Sequence, residues 1–191
     1  KGALNCDITW MIYEHLKKNG IDTSYIPRTD EITIEVSDVK MIPVEVVVRN
    51  RAYGSFLKRF DLVSGAKLDF PLVEFFYKDD ERNDPQLTRE LFELMDLATP
   101  EEIEELKRSA KKINGILLAL FESCGISLVD FKIEFGKDPS GKLLLADEID
   151  PDSCRLWGQD GEMLDKERFR KGMGKIVESY KDIQGRLKGV L

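Results

Sequence analysis

The chain has 191 residues, 42% hydrophobic and 34% charged, enough apolar material for one large domain or two closely packed lobes. Its net charge of −7 is spread along the chain, with no basic stripe carrying interleaved aromatics, which argues against nucleic acid as a partner. No apolar run approaches the ~20 residues of a membrane span, and no signal peptide is visible.

Cysteine and histidine usage narrows the chemistry. Cys6, Cys124 and Cys154 are widely spaced and form no CxxC pair, which disfavours zinc and a disulfide framework and fits a reduced, cytoplasmic compartment. His15 is the sole histidine, so multi-histidine metal sites are excluded and Ser–His or Cys–His catalysis would have to run through it. Carboxylates, lysines, arginines and bound ligands are left to carry any reaction.

In chain order, Asn5 to Lys18 predicts a helix with Ile8, Ile12 and Leu16 on one stripe and Gly20 as its stop. Glu31 to Val36 alternates and predicts a strand with one exposed face. Ile42 to Val48 is denser in β-branched residues and predicts a buried strand. A mixed segment follows, anchored by Phe56, Leu57, Phe60, Leu68, Phe70 and Leu72. Thr99-Pro100-Glu101-Glu102 opens the clearest helix through a capping box, and Gly125 closes it. A final helix is predicted from about Asp165 to Leu187, with Phe169, Met173, Ile176, Val177, Tyr180, Ile183 and Leu187 facing inward. Strands and long helices without strict alternation give an α+β fold with antiparallel sheets and flanking helices. Neither GxxxxGK[ST] nor GxGxxG occurs.

Two runs stand out chemically. Asp130 to Phe135 alternates one for one, so Asp130, Lys132 and Glu134 share a face opposite Val129, Phe131, Ile133 and Phe135. Ala146 to Asp152 is a second acidic run beyond a turn-rich connection. With a four-residue loop, Asp138 to Gly141, Lys132 sits opposite Asp147, and Glu134 opposite Leu145 and diagonal to Asp147. That is close enough for two carboxylates to share a hard cation. A five-residue loop would flip Asp147 to the other face. The competing reading is an ordinary ion pair on a wet strand face.

Further candidates are weaker alone. Val46, Val47 and Val48 run into Arg49, Asn50, Arg51 and Ser55, an apolar strand able to supply backbone groups to an adenine edge while its side chains pack, followed by arginines able to fork onto a phosphate or carboxylate. Lys78 to Pro85 reads as a wet charged loop. Asp152 and Arg155 follow the acidic strand, and Lys166 to Arg170 reads as a solvated helix face.

Together, PVEVVVRNRAYGS, LVDFKIEFG, LADEIDPDSCRLW and DKERFRK, in this order and spacing, resemble the phosphoribosylaminoimidazole-succinocarboxamide synthase (SAICAR synthetase) family across essentially Lys1 to Leu191. The resemblance implies a two-lobed, ATP-grasp-related domain and an ATP-dependent ligase that joins L-aspartate to the carboxylate of carboxyaminoimidazole ribonucleotide through an acyl phosphate. It implies magnesium at Glu134 and Asp147, with Lys132 beside them at the phosphates or reacting carboxylate. ATP would meet Val46, Val47, Val48, Lys78, Asp84, Lys132 and Leu145; the family often has histidine before that aspartate, where this chain has Asn83. The ribonucleotide would meet Arg49, Ser55, Asp152 and Arg155.

A homodimer is expected as well. The family begins with a glycine- and lysine-containing hairpin over the ATP phosphates and a further aspartate-bearing segment, both before the KGxxN stretch with which this sequence opens. On that basis residues 1–191 form one N-terminally incomplete catalytic domain, with lobes at about 1–50 and 51–191. The alternatives are a related-fold kinase of the inositol-phosphate type and a non-catalytic folded fragment.

Overall fold

The alternation around Asp130 to Phe135 is realised in one long strand on which the sheet is built. The computed structural model describes residues 1–27, 30 and 32–191. In chain order the elements are α1 (Gly2–Lys18), β1 (Tyr25–Ile26), β2 (Glu35–Val36), β3 (Lys40–Met41), β4 (Val44–Arg51), β5 (Lys67–Tyr77), α2 (Arg89–Leu94), α3 (Pro100–Ser123), β6 (Ser127–Lys137), β7 (Leu143–Ala146), β8 (Cys154–Trp157), α4 (Glu167–Arg170) and α5 (Ile176–Val190). Short 3-10 turns cover Gly54–Lys58 and Asp80–Arg82.

Strand β6 is shared among four antiparallel neighbours. Its first half pairs with β4 on one edge and β8 on the other; its second half pairs with β3 and β7. Strand β5 continues the sheet beyond β4. The register Val46↔Ile133 and Val48↔Phe131 puts these apolar side chains on one face. There they meet Ile103, Leu106, Ile113, Leu117 and Phe121 of α3 in a continuous core. Helix α3 starts as its sequence dictates: Glu102 N donates to Thr99 Oγ1 (3.3 Å) and Thr99 N to Glu102 Oε2 (2.9 Å). The other face collects Glu45, Val47, Arg49, Glu74, Asp130, Lys132, Glu134 and Arg155, by the same registers.

Three sequence expectations change. The segment expected as a strand over 31–36 is strand only at Glu35–Val36, and Glu31 lies outside the described residues. The mixed segment contains an eleven-residue edge strand, β5, whose pattern is broken by Pro71; Phe60 and Phe70 are exposed, and only Phe56 of its aromatic anchors is buried. The expected single helix 165–187 is interrupted. Gly172 and Gly174 adopt φ of +65° and +66°, which a right-handed helix cannot contain. Phe169, Met173 and Val177 around that break are therefore exposed, while Tyr180, Ile183 and Leu187 on α5 are fully buried.

Candidate active site

The hairpin after β6 has a five-residue loop, not four. Glu134 pairs with Ala146 and Phe135 with Leu145, one residue away from the expected register. Simple alternation would then aim Asp147 into the core. It does not, because β7 ends at Ala146 and Asp147 adopts a left-handed conformation with φ +61°. Aspartate tolerates this region better than most residues. The reversal brings the Asp147 carboxyl within hydrogen-bonding reach of Glu134. The turn is pinned from behind by Tyr13, whose hydroxyl donates to the carbonyl oxygens of Ala146 (2.9 Å) and Asp147 (2.7 Å).

The same slip removes Leu145 from the site. It lies opposite Phe135 in the core, 1% exposed, and cannot line a nucleotide. Val46 and Val48 are likewise corrected: both are 0% exposed on the core face, and their backbone is committed to ladders with β5 and β6. Only Val47 of the three points toward the site face, beside Lys132.

Charge is crowded here. Burial raises the Glu134 carboxyl, the Lys78 ammonium opposes the rise and Asp147 reinforces it. Glu148, unremarked in the sequence reading, is pushed up to about 7 by its hydrogen bond to Asp147 and by burial. Asp147 accepts from both neighbours; burial raises its carboxyl, but those bonds outweigh burial and hold it low. Two lysines answer the crowding. Lys78 Nζ bridges both oxygens of Glu134 (2.7 and 2.8 Å), and Lys132 Nζ meets Glu45 Oε1 at 2.5 Å. The Glu134 bond raises Lys78, and burial lowers Lys132 less than Glu45 raises it. The loop that sequence alone reads as merely wet thus delivers a cation to the centre. Asp84 shapes that loop by accepting from Asp79 N at 2.9 Å.

Four residues up the strand the arrangement differs. Asp130 stands between Arg49 on β4 and Arg155 on β8, its register partner on either side. Arg49 donates to Asp130 (3.1 Å), Glu74 (2.5 Å) and Ser55 Oγ (3.3 Å), and Arg155 donates to both Asp130 oxygens (3.0 and 2.9 Å). Asp152, expected to hold substrate, also serves as a tether. Its carboxylate accepts from Lys1 (2.7 Å), Asn5 (2.6 Å) and Tyr180 (2.7 Å), joining the start of α1 to α5, while the side chain stays 30% exposed.

The donor chemistry suits a hard divalent cation, since two crowded carboxylates would be relieved by one. Among the described residues no cluster of three or more His, Cys, Asp or Glu side chains forms a ready cage. Two protein carboxylates, with phosphate and water oxygens completing the shell, is the pattern magnesium favours. A cavity of about 730 Å³ lies elsewhere, between Arg51, Phe70, Leu118 and Trp157, and is lined by neither carboxylate. Volume alone does not mark the chemistry.

Comparison with known proteins identifies the family and the fold. A profile of the SAICAR synthetase family matches residues 1–187. The phosphoribosylaminoimidazole-succinocarboxamide synthase of Staphylococcus carnosus is 46% identical over 191 residues, covering 100% of this chain and 82% of that protein. The crystal structure of the same enzyme from Ehrlichia chaffeensis superposes with a TM-score of 0.95 at 40% identity, covering 100% of this chain and 82% of that one. A SAICAR synthetase in complex with ADP gives 0.96 at 40% identity, covering 99% of this chain and 81% of that one.

Proposed function

This chain belongs to the SAICAR synthetase family, and we infer from that premise how its residues share the work of an ATP-dependent ligase of purine biosynthesis. The reaction joins L-aspartate to the carboxylate of carboxyaminoimidazole ribonucleotide. ATP first phosphorylates that carboxylate, and the amine of aspartate then displaces phosphate from the acyl phosphate. Glu134 and Asp147 would hold magnesium, which when bound neutralises phosphate charge. Lys78 and Lys132, now resting on Glu134 and Glu45, are placed to follow the transferring phosphoryl group as point charges. Val47 lies along the nucleotide. Arg155, backed by Arg49 and Ser55, takes the anionic group of the ribonucleotide. No histidine or cysteine nucleophile enters.

The observation that carries this reading is the division of one strand face. Within Asp130 to Glu134 it presents an arginine pair for an anion and a carboxylate pair for a cation, with Lys132 between. The ADP named with the relative supports the nucleotide assignment. A cytoplasmic setting agrees with the burial of Cys6, Cys124 and Cys154 and with a sequence that has no CxxC pair. We also expect a homodimer, which sedimentation would check. The direct assay is ADP release: it should require both ribonucleotide and aspartate. Release that is complete without aspartate would instead indicate a phosphotransferase.

A further inference from the structure

The arginine end of β6 contains a carboxylate that the reaction itself does not use. Asp130 is 5% exposed at its side chain, yet it lies directly between the two guanidinium groups assigned to the substrate anion. The sheet register produces this row: β4, β6 and β8 place Arg49, Asp130 and Arg155 side by side. Glu74, itself held by Arg59 (2.7 Å) and Gln86 (3.1 Å), fixes the Nε of Arg49. Arg155 is pressed into position from the other side. A Cβ on Gly54 would lie 2.7–2.9 Å from its guanidinium atoms, so only glycine allows that approach, and the Tyr53 ring covers it at 5.6 Å. One donor in this cluster is left over. Arg155 Nε is buried with no hydrogen-bond partner. Sealed from solvent, that atom is not the one that meets a ligand; the Arg155 side chain is 15% exposed at its other atoms, and Glu167 Oε1 stands 3.5 Å from its Nη2.

We propose that Asp130 is a positioning residue for the substrate anion, locking Arg49 and Arg155 into one preformed clamp that meets the anion through the exposed part of the Arg155 side chain. The inference rests on the assignment of Arg155 to the ribonucleotide. Two effects oppose each other. A carboxylate near a phosphate repels it, so the charge of Asp130 weakens binding. A fixed guanidinium fork avoids the ordering cost of a loose arginine and meets its acceptor at defined angles. The side chain is retained at the centre of the cluster with three hydrogen bonds, and we expect geometry to outweigh repulsion.

The test is steady-state kinetics with each of the three substrates varied in turn. Asp130→Asn keeps the shape but not both acceptors. It should raise KM for the ribonucleotide at least ~10-fold, leave kcat within ~3-fold, and leave KM for ATP and for aspartate within ~2-fold. Asp130→Glu, which keeps the charge but moves it by one methylene, should raise the same KM at least ~5-fold. A tighter ribonucleotide KM in Asp130→Asn, a wild-type KM in Asp130→Glu, or equal losses for all three substrates would overturn the proposal. Arg155→Gln separates the two claims. If it leaves the ribonucleotide KM unchanged, the assignment of Arg155 fails; if it raises that KM while both Asp130 variants behave as wild type, only the positioning role fails.

Discussion

The two ends of the functional face of β6 are built from the same side-chain chemistry and arrive at opposite electrostatic states. At the arginine end, positive and negative groups alternate across three strands, and each charge is met by hydrogen bonds of 2.5–3.3 Å. At the carboxylate end, Asp147 lies against both Glu134 and Glu148 with two lysines as the nearby cations, and Glu148 is pushed up to about 7. The first end is compensated and rigid before any ligand arrives. The second is short of positive charge and is relieved when a cation does. An anion site can be preformed by burying arginines against carboxylates; a cation site made only of carboxylates has to stay partly frustrated.

The comparison is broken most directly at Glu134. Glu134→Gln removes one charge from the crowded end while keeping one acceptor for Lys78. We expect kcat/KM to fall on the order of 10³-fold, about 4 kcal/mol, with the thermal midpoint unchanged or raised. A large loss of midpoint would mean that Glu134 is chiefly structural. Asp147→Asn should cost ~10²-fold in kcat/KM and little stability, since asparagine also tolerates φ near +61°. Wild-type turnover in that variant would remove Asp147 from the centre.

A pH measurement sharpens the contrast between a buried carboxylate with ligand work and one without. Asp165 is fully buried, accepts from Leu156 N (2.7 Å) and Glu167 N (2.8 Å), and is pushed by burial up to about 6. Its carboxyl binds its proton more tightly folded than unfolded. Its contribution to stability is therefore complete below about pH 4 and is lost as pH rises through about 6. Asp165→Asn should remove that slope, on the order of 3 kcal/mol across the window. Thermal midpoints against pH with the same slope in variant and wild type would contradict this. Kinetic constants should change little.

Smaller effects follow. Tyr13→Phe deletes the hydroxyl donation shared by the carbonyls of the 146–147 turn and should cost about 1 kcal/mol, with a modest fall in kcat because Asp147 loses its support. Urea titration beside the standard assay separates the two. Thr99→Ala removes the α3 cap, remote from both ends; it should cost about 1 kcal/mol and leave every kinetic constant alone.

What the sequence made legible follows from how local each signal is. The capping box at Thr99 and the one-for-one alternation of β6 are decided by neighbours in the chain, and both are realised. The register of the β6–β7 hairpin is not. It turns on whether Lys142 belongs to the loop, and no local rule fixes that in a polar, glycine-containing turn. The pairing of Glu134 with Asp147 survived the misjudged register because a backbone reversal at Asp147 undid the slip, a compensation invisible to periodicity. Leu145, Val46 and Val48 had no such compensation and belong to the core. Lys78 was named only through the family resemblance: charged loops usually only solvate, and its contact with Glu134 spans 56 residues. The tethering role of Asp152 was hidden because its partners, Lys1, Asn5 and Tyr180, are remote in sequence.

Magnesium titrated calorimetrically into protein saturated with ADP addresses the cation site without relying on turnover. Wild type should take up the ion, and Glu134→Gln and Asp147→Asn should each weaken that uptake at least ~10-fold, with ADP still bound. Equal magnesium affinity in wild type and both variants would contradict the assignment of these two carboxylates.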